Sequence, residues 1–363
     1  MRAEIDKIIP LRDLPKREDI IFIDHSMHSA FATCEEKARL SYVEHLRPRA
    51  EKPPLVFGSA FHAGIAELYI AKSSGASPED AIRSAELAFI AEAKDKGRDA
   101  LPISGDSPER RSVERGLNLL RAYALRWRGA DITWEDVRNP ADGKFYIEIG
   151  FAVYLMDWNG RPVVFVGKID RIRRNRVEGN LWGWETKTTT SSVGAYINQV
   201  RPNHQLTSYK WGASELLGVD LAGMILDVTF VSDRKIGGKF PDGIDPEKDF
   251  GRAETRRSRT DIDELLYDLR LFATDFLSRQ DSGIRRWHRN APAACYMYGG
   301  CYFRDACSSN LNPAKMRNDY KVERWVPWKE ILESQRAETA APSSSPDASP
   351  TSSTTLSDTN SSS

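Results

Sequence analysis

The sequence predicts a mixed α/β fold in which a small central sheet is flanked by helices, and three observations predict it. The first third of the chain carries helical spacing of apolar residues. Near Phe145 the period changes to two. After three such strands, a helix, a further strand and a late helix follow.

Taken in order, Ser26 is read as the N-cap of a helix from Met27 to about His45. A second helix follows Gly58 through Phe61, Ile65 and Leu68. Pro78-Glu-Asp opens a third to about Ala93, and Glu109 to Trp127 is the fourth. Phe145 to Leu155 alternates, with Ile147, Ile149 and Phe151 on one side, and reads as a strand. Pro162 to Ile172 and Leu181 to Lys187 are two more, joined by hairpins at Asn159-Gly and Gly179-Asn. His204 to Leu217 is a helix ended by Gly218, Ala222 to Val231 a strand, and Asp261 to Arg279 the late helix. Ser232 to Ser258 is polar and Gly-rich and is expected to be a long loop. The domain organisation expected is an arm over 1–20, one domain over 21–335 with a helical insertion at about 72–140, and a disordered Ser/Thr/Pro-rich tail over 336–363.

The 363 residues are 40% apolar and 29% charged, with 52 basic and 52 acidic residues, an ordinary globular balance. Outside the tail the body holds 51 basic and 49 acidic residues, so a wholly electrostatic nucleic-acid binder is excluded while a local basic groove is not. No apolar run approaches the roughly 20 residues of a membrane span. Met1 to Leu14 lacks a signal-peptide core. The expected location is therefore the cytoplasm (of the host, if phage-encoded), without membrane association, where thiols stay reduced.

The chemistry concentrates in Val166-Gly-Lys-Ile-Asp170 and Trp184-Glu185-Thr-Lys187. Acids on strand ends are commonly solvated, but Asp170 follows a buried run, and Glu185 and Lys187 share one strand face. Carboxylates brought together by a short turn suit a hard divalent cation, and a lysine beside them suits an attacking water and a phosphate. Glu148, on the first strand, is a lesser candidate acid.

Gly167-Lys-Ile-Asp170, Glu185-Thr-Lys187 and Gln205-x-x-x-Tyr209, with Gly58-Ser-Ala-Phe-His62 before them, resemble the RecB-like branch of the PD-(D/E)XK nuclease superfamily. The resemblance implies a restriction-endonuclease-like αβββαβ core. It makes His62, Asp170 and Glu185 metal ligands for Mg²⁺ or Mn²⁺ and Lys187 the catalytic lysine. Gln205 and Tyr209, on one face of a helix, would place DNA.

Cys34, Cys295, Cys301 and Cys307 supply the four thiolates of an iron–sulfur cluster or a structural zinc. The paired Cys-x₂₋₄-Cys loops typical of zinc are absent. One distant cysteine plus three C-terminal ones is the layout of the iron-staple members of this branch, similar to AddB-type and CRISPR adaptation exonucleases, so a 4Fe–4S cluster is expected ahead of zinc. The first C-terminal gap, of five residues, is longer than in those relatives. Such a cluster would close the 260 residues between Cys34 and Cys295 into a ring, a structural role.

For DNA, the basic clusters are Arg171, Arg173, Arg174 and Arg176; Arg252, Arg256, Arg257 and Arg259; and Arg285, Arg286 and Arg289 around Trp287. The last, interleaved with an indole, suits single-stranded DNA. Lys235-Ile-Gly-Gly-Lys lacks phosphate-loop spacing, so a helicase or recombination partner would be a separate protein. The function expected is a metal-dependent DNA exonuclease in recombination, repair, or phage or CRISPR DNA processing. The alternatives are a catalytically silent DNA-end-binding subunit and a zinc-stapled structural protein.

Overall fold

The computed structural model describes residues 19–97, 101–103, 110–140, 142–296 and 300–326, so nearly all of the expected arm and the whole expected tail lie outside the described residues. Strand β1 (Ile21–Asp24) runs directly into helix α1 (His25–Thr33). Asp24, not Ser26, caps that helix: its carboxylate accepts the Met27 N–H at 2.6 Å. The single helix expected to His45 is broken at Cys34, which is extended at φ −165° and ψ 113°. It resumes as α2 (Glu35–Ala38) and a π-turn over Arg39–Val43. The break has a tertiary cause. Glu36 is fully buried, its N–H bonds the His288 carbonyl at 3.1 Å, and its carboxylate accepts the Trp287 N–H at 2.9 Å.

After β2 (Leu46–Pro48) come three long helices, α3 (Pro53–Ser73), α4 (Pro78–Gly97) and α5 (Val113–Trp127). Proline occupies the first turn of α3, where its missing N–H costs nothing, so the helix begins before Gly58. By length and composition alone α3 is apolar enough to cross a membrane. Its Phe57, Phe61, Ile65 and Leu68 instead fill a core with Phe89 and Tyr123, so it is the central helix of a packed layer. A 3₁₀ turn at Ala130–Thr133 leads to β3 (Trp134–Asp136), β4 (Ile147–Trp158), β5 (Arg161–Asn175) and β6 (Leu181–Thr189). Asn159 and Gly160 turn the β4–β5 hairpin at φ 50° and 79°.

Then follow α6 (Val193–Ile197), α7 (His204–Leu217), β7 (Gly223–Phe230), β8 (Phe250–Thr255) and α8 (Arg259–Asp281). Asn203 caps α7 and Gly218, at φ 65°, ends it. Ser258 and Asp261 form a reciprocal capping box on α8. The expected loop over 232–258 thus contains a strand. The chain closes with α9 (Ala293–Tyr296), α10 (Arg304–Ser308), α11 (Pro313–Asp319) and β9 (Tyr320–Val322), and β9 pairs with β2.

The main sheet is built on β5. On one edge lies β4, antiparallel over Arg161–Arg171, and farther along that edge β3 pairs antiparallel with Arg173–Asn175 of β5 itself. On the other edge β1 runs parallel to Val163–Val166, and β6 joins antiparallel only at Arg171–Arg174. Between them, Gly167 to Asp170 face a fork in the sheet. β7 is parallel to β6 and β8 antiparallel to β7. The order α3–β4–β5–β6–α7–β7 is the expected αβββαβ arrangement. Trp184 and Thr188 of β6 turn toward α3, while Glu185 and Lys187 turn toward α7. The seat of α7 is set by Phe151, whose ring lies 2.4 Å from where a Cβ on Gly167 would stand and 2.1 Å from one on Gly212. Glycine at both positions is what lets strand and helix close on that ring.

Candidate metal centre

Three elements converge at the fork. Helix α3 carries His62, β4 carries Glu148 and β5 carries Asp170. The imidazole Nδ1 of His62 stands 3.4 Å from Asp170 Oδ2. One ligand atom from each of His62, Glu148 and Asp170 lies within 4.8 Å of the others, lining one narrow cleft with Ile65, Ala66 and Thr186. Donors about 2.1 Å from an octahedral Mg²⁺ stand about 3.0 to 4.2 Å from one another, so this group needs little movement to fit a hard cation. Asp170 is fixed from behind, its Oδ2 accepting the Thr186 N–H at 2.6 Å. Glu148 is held in the left-handed region at φ 55°, opposite Asp170, where the ladder steps from Ile147–Arg171 to Ile149–Ile169. Backbone strain of this kind costs about 1–3 kcal/mol and persists where surrounding structure imposes it. Lys168 pairs with Glu148 at 2.5 Å.

Beside this group, Lys187 forms an ion pair with Glu185 Oε1. Gln205 Nε2 donates to the same carboxylate oxygen at 3.0 Å and to the Tyr209 hydroxyl at 3.3 Å. The second oxygen of Glu185 is buried and has no hydrogen-bond partner. A buried acceptor without a donor is costly, and a cation reached from this side would satisfy it. Burial pushes Glu185 up to about 7, and the nearby Asp170 adds to the rise. Burial acts the same way on Asp170, but His62 and Lys187 outweigh it and hold that carboxyl at about 2. Asp170 in turn raises His62 against the effect of burial. Lys187 also loses to burial, but Glu185 and Tyr209 raise it overall.

The model of the PD-(D/E)XK nuclease superfamily matches residues 25–308, a range that holds every residue of this site. This chain belongs to that superfamily. Its mixed sheet between helices is the restriction-endonuclease-like fold, and the superfamily acts on DNA, usually with divalent metals. No curated protein matches the chain. Among solved structures, a Eubacterium rectale protein described as a "putative exonuclease" is similar over 81% of this chain and 92% of its own, at 9% identity and a TM-score of 0.41. A likeness at that level bears on neither substrate nor reaction.

The structure gathers the motif residues unevenly. His62 and Asp170 come together, but the third member of the tight group is Glu148, while Glu185 faces Lys187 and Gln205. Counting back from the Asn159-Gly160 turn pairs Trp158 with Arg161, and a bulge between Tyr154 and Met156 shifts the register by one. That count alone sets Glu148 beside Asp170. Gln205 and Tyr209 are turned inward on the Glu185 carboxylate. The motif glycine Gly58 has only Thr188 Oγ1, at 3.8 Å, near where a Cβ would stand, so close packing does not require it.

Several expected DNA contacts are corrected. Arg171 and Arg173 are buried, paired with Asp227 at 3.2 Å and Asp131 at 3.0 Å. Arg252 joins the same network, and Arg257 is buried on Thr207 and the Val200 carbonyl. Trp287 is only 5% exposed, its ring against Phe276 at 5.1 Å and Phe31 at 6.1 Å, so it presents no face to a base. Arg285 and Arg286 are exposed, and Arg286 donates to the Asn310 carbonyl at 3.1 Å.

The four cysteines are free and half-buried. They share one neighbourhood: Cys301 lies in the electrostatic field of Cys34 and Cys295, and Cys307 in that of Cys301 and Cys34. Burial pushes both thiols up. The Phe303 N–H points at Cys301 Sγ at 3.4 Å, and the Cys301 N–H bonds the Cys295 carbonyl at 3.0 Å.

Proposed function

We propose that this chain is a Mg²⁺- or Mn²⁺-dependent deoxyribonuclease that removes nucleotides from DNA ends. The observation that carries the reading is the His62–Glu148–Asp170 group with an orphaned Glu185 oxygen and Lys187 beside it. His62, Asp170 and Glu148 would hold the ion, with Glu185 completing its ligands. Bound there, the ion supplies Lewis-acid activation of water and offsets charge on the scissile phosphate. Lys187, anchored by Glu185, positions the attacking water and keeps its ammonium toward the phosphate. Gln205 and Tyr209 act one step back, fixing the carboxylate that fixes the lysine. Cutting from an end, rather than internally, follows from the resemblance to RecB-like exonucleases, as does a role in recombination, repair, or phage or CRISPR DNA processing; the cytoplasmic location is kept from the sequence expectation.

Cys34, Cys295, Cys301 and Cys307 would hold a 4Fe–4S cluster of structural role. The support is four half-buried thiols in one neighbourhood, drawn from one distant and three C-terminal positions.

The test is cleavage of end-labelled single- and double-stranded DNA with Mg²⁺, Mn²⁺ or chelator. Wild-type protein is expected to release nucleotides only with metal. Lys187→Ala is expected to lose about 10²-fold or more in kcat while still binding DNA. A silent end-binding subunit is the outcome if wild type binds DNA ends and cleaves with neither metal.

A further inference from the structure

At the far end of β5 lies an open cleft of about 840 Å³. It runs between the last turn of α3, the turn after α5, strand β3 and the end of β5. Six cations and three acids line it. Two of the acids are spent on the wall itself: Asp131 pairs with Lys72 and Arg173, and Asp136 with Arg173. That leaves Arg128, Arg138, Arg174 and Arg176, all exposed, facing Glu135 alone. Among the described residues none of these four guanidiniums has a carboxylate partner within ion-pair distance. Arg138 lies over the Phe145 ring at 3.8 Å, and Ile132, 73% exposed, sits on the same wall. Arg138 also donates to the Gly143 carbonyl at 2.7 Å, which holds it in place over that ring. Guanidiniums without carboxylate partners beside an exposed apolar side chain match a polynucleotide strand, with phosphates neutralised and a sugar or base against Ile132.

The cleft is tied to the metal group by two rigid elements. Lys72 is ten residues beyond His62 on α3, about 15 Å along the helix. Arg174 is four residues beyond Asp170 on β5, about 13 Å along the strand. Either span is about four steps at the 3.4 Å rise of a stacked, duplex-like strand.

We propose that this cleft is a second anchor for the substrate strand, holding its phosphates about four nucleotides from the scissile bond. The proposal rests on the nuclease reading and names where, apart from the metal, the strand is gripped. Short products would then lose this grip, while long strands keep it through each cycle.

The test uses the full chain and fluorescein-labelled single strands of about four and about fifteen nucleotides, lengths chosen to fall short of or span the cleft. Binding is read by anisotropy in chelator over a salt series, and cleavage separately with Mn²⁺. In Arg138→Ala/Arg174→Ala/Arg176→Ala, long-strand affinity is expected to fall at least tenfold. The slope of log affinity against log salt should flatten by about 2, at about 0.7 per lost contact. Short-strand binding should not change. An unchanged long-strand affinity and salt slope would overturn the proposal. Arg174→Glu/Arg176→Glu, both on the surface, repeats the test with the opposite charge and must weaken the long strand further. If wild type cleaves neither strand but the length-dependent loss appears, the nuclease reading fails and the anchor stands.

Discussion

Glu148 is the residue on which sequence and structure part most clearly. An acid on an exposed strand carries no signal of its own, and the motif pattern passes over it. What marks it is a left-handed backbone, at φ 55°, opposite Asp170. His62, Asp170, Glu185 and Lys187 were legible because each sits at a fixed offset in a motif. Glu148 was legible only through hairpin register, which needs the bulge at Tyr154 and Met156 to be known. The strain gives a two-sided prediction. Glu148→Gln should lower metal-dependent kcat by about 10²-fold with little change in unfolding. Glu148→Gly should lose activity yet unfold about 1 kcal/mol less readily in denaturant, because glycine adopts this conformation freely. A less stable glycine variant would contradict the strain.

Elements were readable where side chains obeyed their period and unreadable where tertiary contacts overrode it. The β4–β5–β6 meander, α7 and α8 follow from alternation, Asn-Gly turns and caps. Strand β8 does not, because its inward residue is an arginine: Arg252 reaches Asp227 at 3.1 Å and Asp131 at 3.1 Å. The same network takes Arg171 and Arg173 out of any DNA surface and stacks them on Tyr69 and Trp184. It joins α3, α5, β5, β7 and β8 behind the metal group. At Asp131, burial alone would raise the carboxyl, but Arg173, Arg252 and Lys72 outweigh it and hold it well below the ordinary range. A depressed folded pKa gives stability that is full above the unfolded value of about 3.9 and is lost as pH falls below it. Asp131→Asn should therefore cost about 1–3 kcal/mol at neutral pH, since it takes one of two carboxylate partners from each of the buried Arg173 and Arg252. The gap between wild type and variant should narrow as denaturation is repeated toward pH 2, a rough limit below the ordinary carboxylate range. A constant gap across that range would rule this account out.

Across the whole molecule, the C-terminal segment folds back onto the first helices, and the cysteines are one part of that closure. Trp287, His288 and Asn290 bond the backbone or side chains of residues 33–36, Tyr302 bonds Ser41 at 2.9 Å, and Lys52 donates to the Gly300 carbonyl at 2.7 Å. β2 and β9 add a second seam. The sequence showed one distant cysteine and three near the end, but not these protein-only stitches, because they depend on where the chain breaks at Cys34. Cys301→Ala is accordingly expected to lose bound iron and to lower the Tm of anaerobically purified protein, with activity falling as a consequence. Retained iron and an unchanged Tm would remove the staple from the account.

The central claim is that α3, β4 and β5 gather one imidazole and two carboxylates around a single divalent ion. Calorimetric titration of Mn²⁺ into anaerobically purified protein tests it most directly. Wild type should take up Mn²⁺ at this site, and Asp170→Asn, folded to the same Tm range, should lose that uptake. Equal Mn²⁺ binding by the two proteins, or none by wild type, would contradict the site.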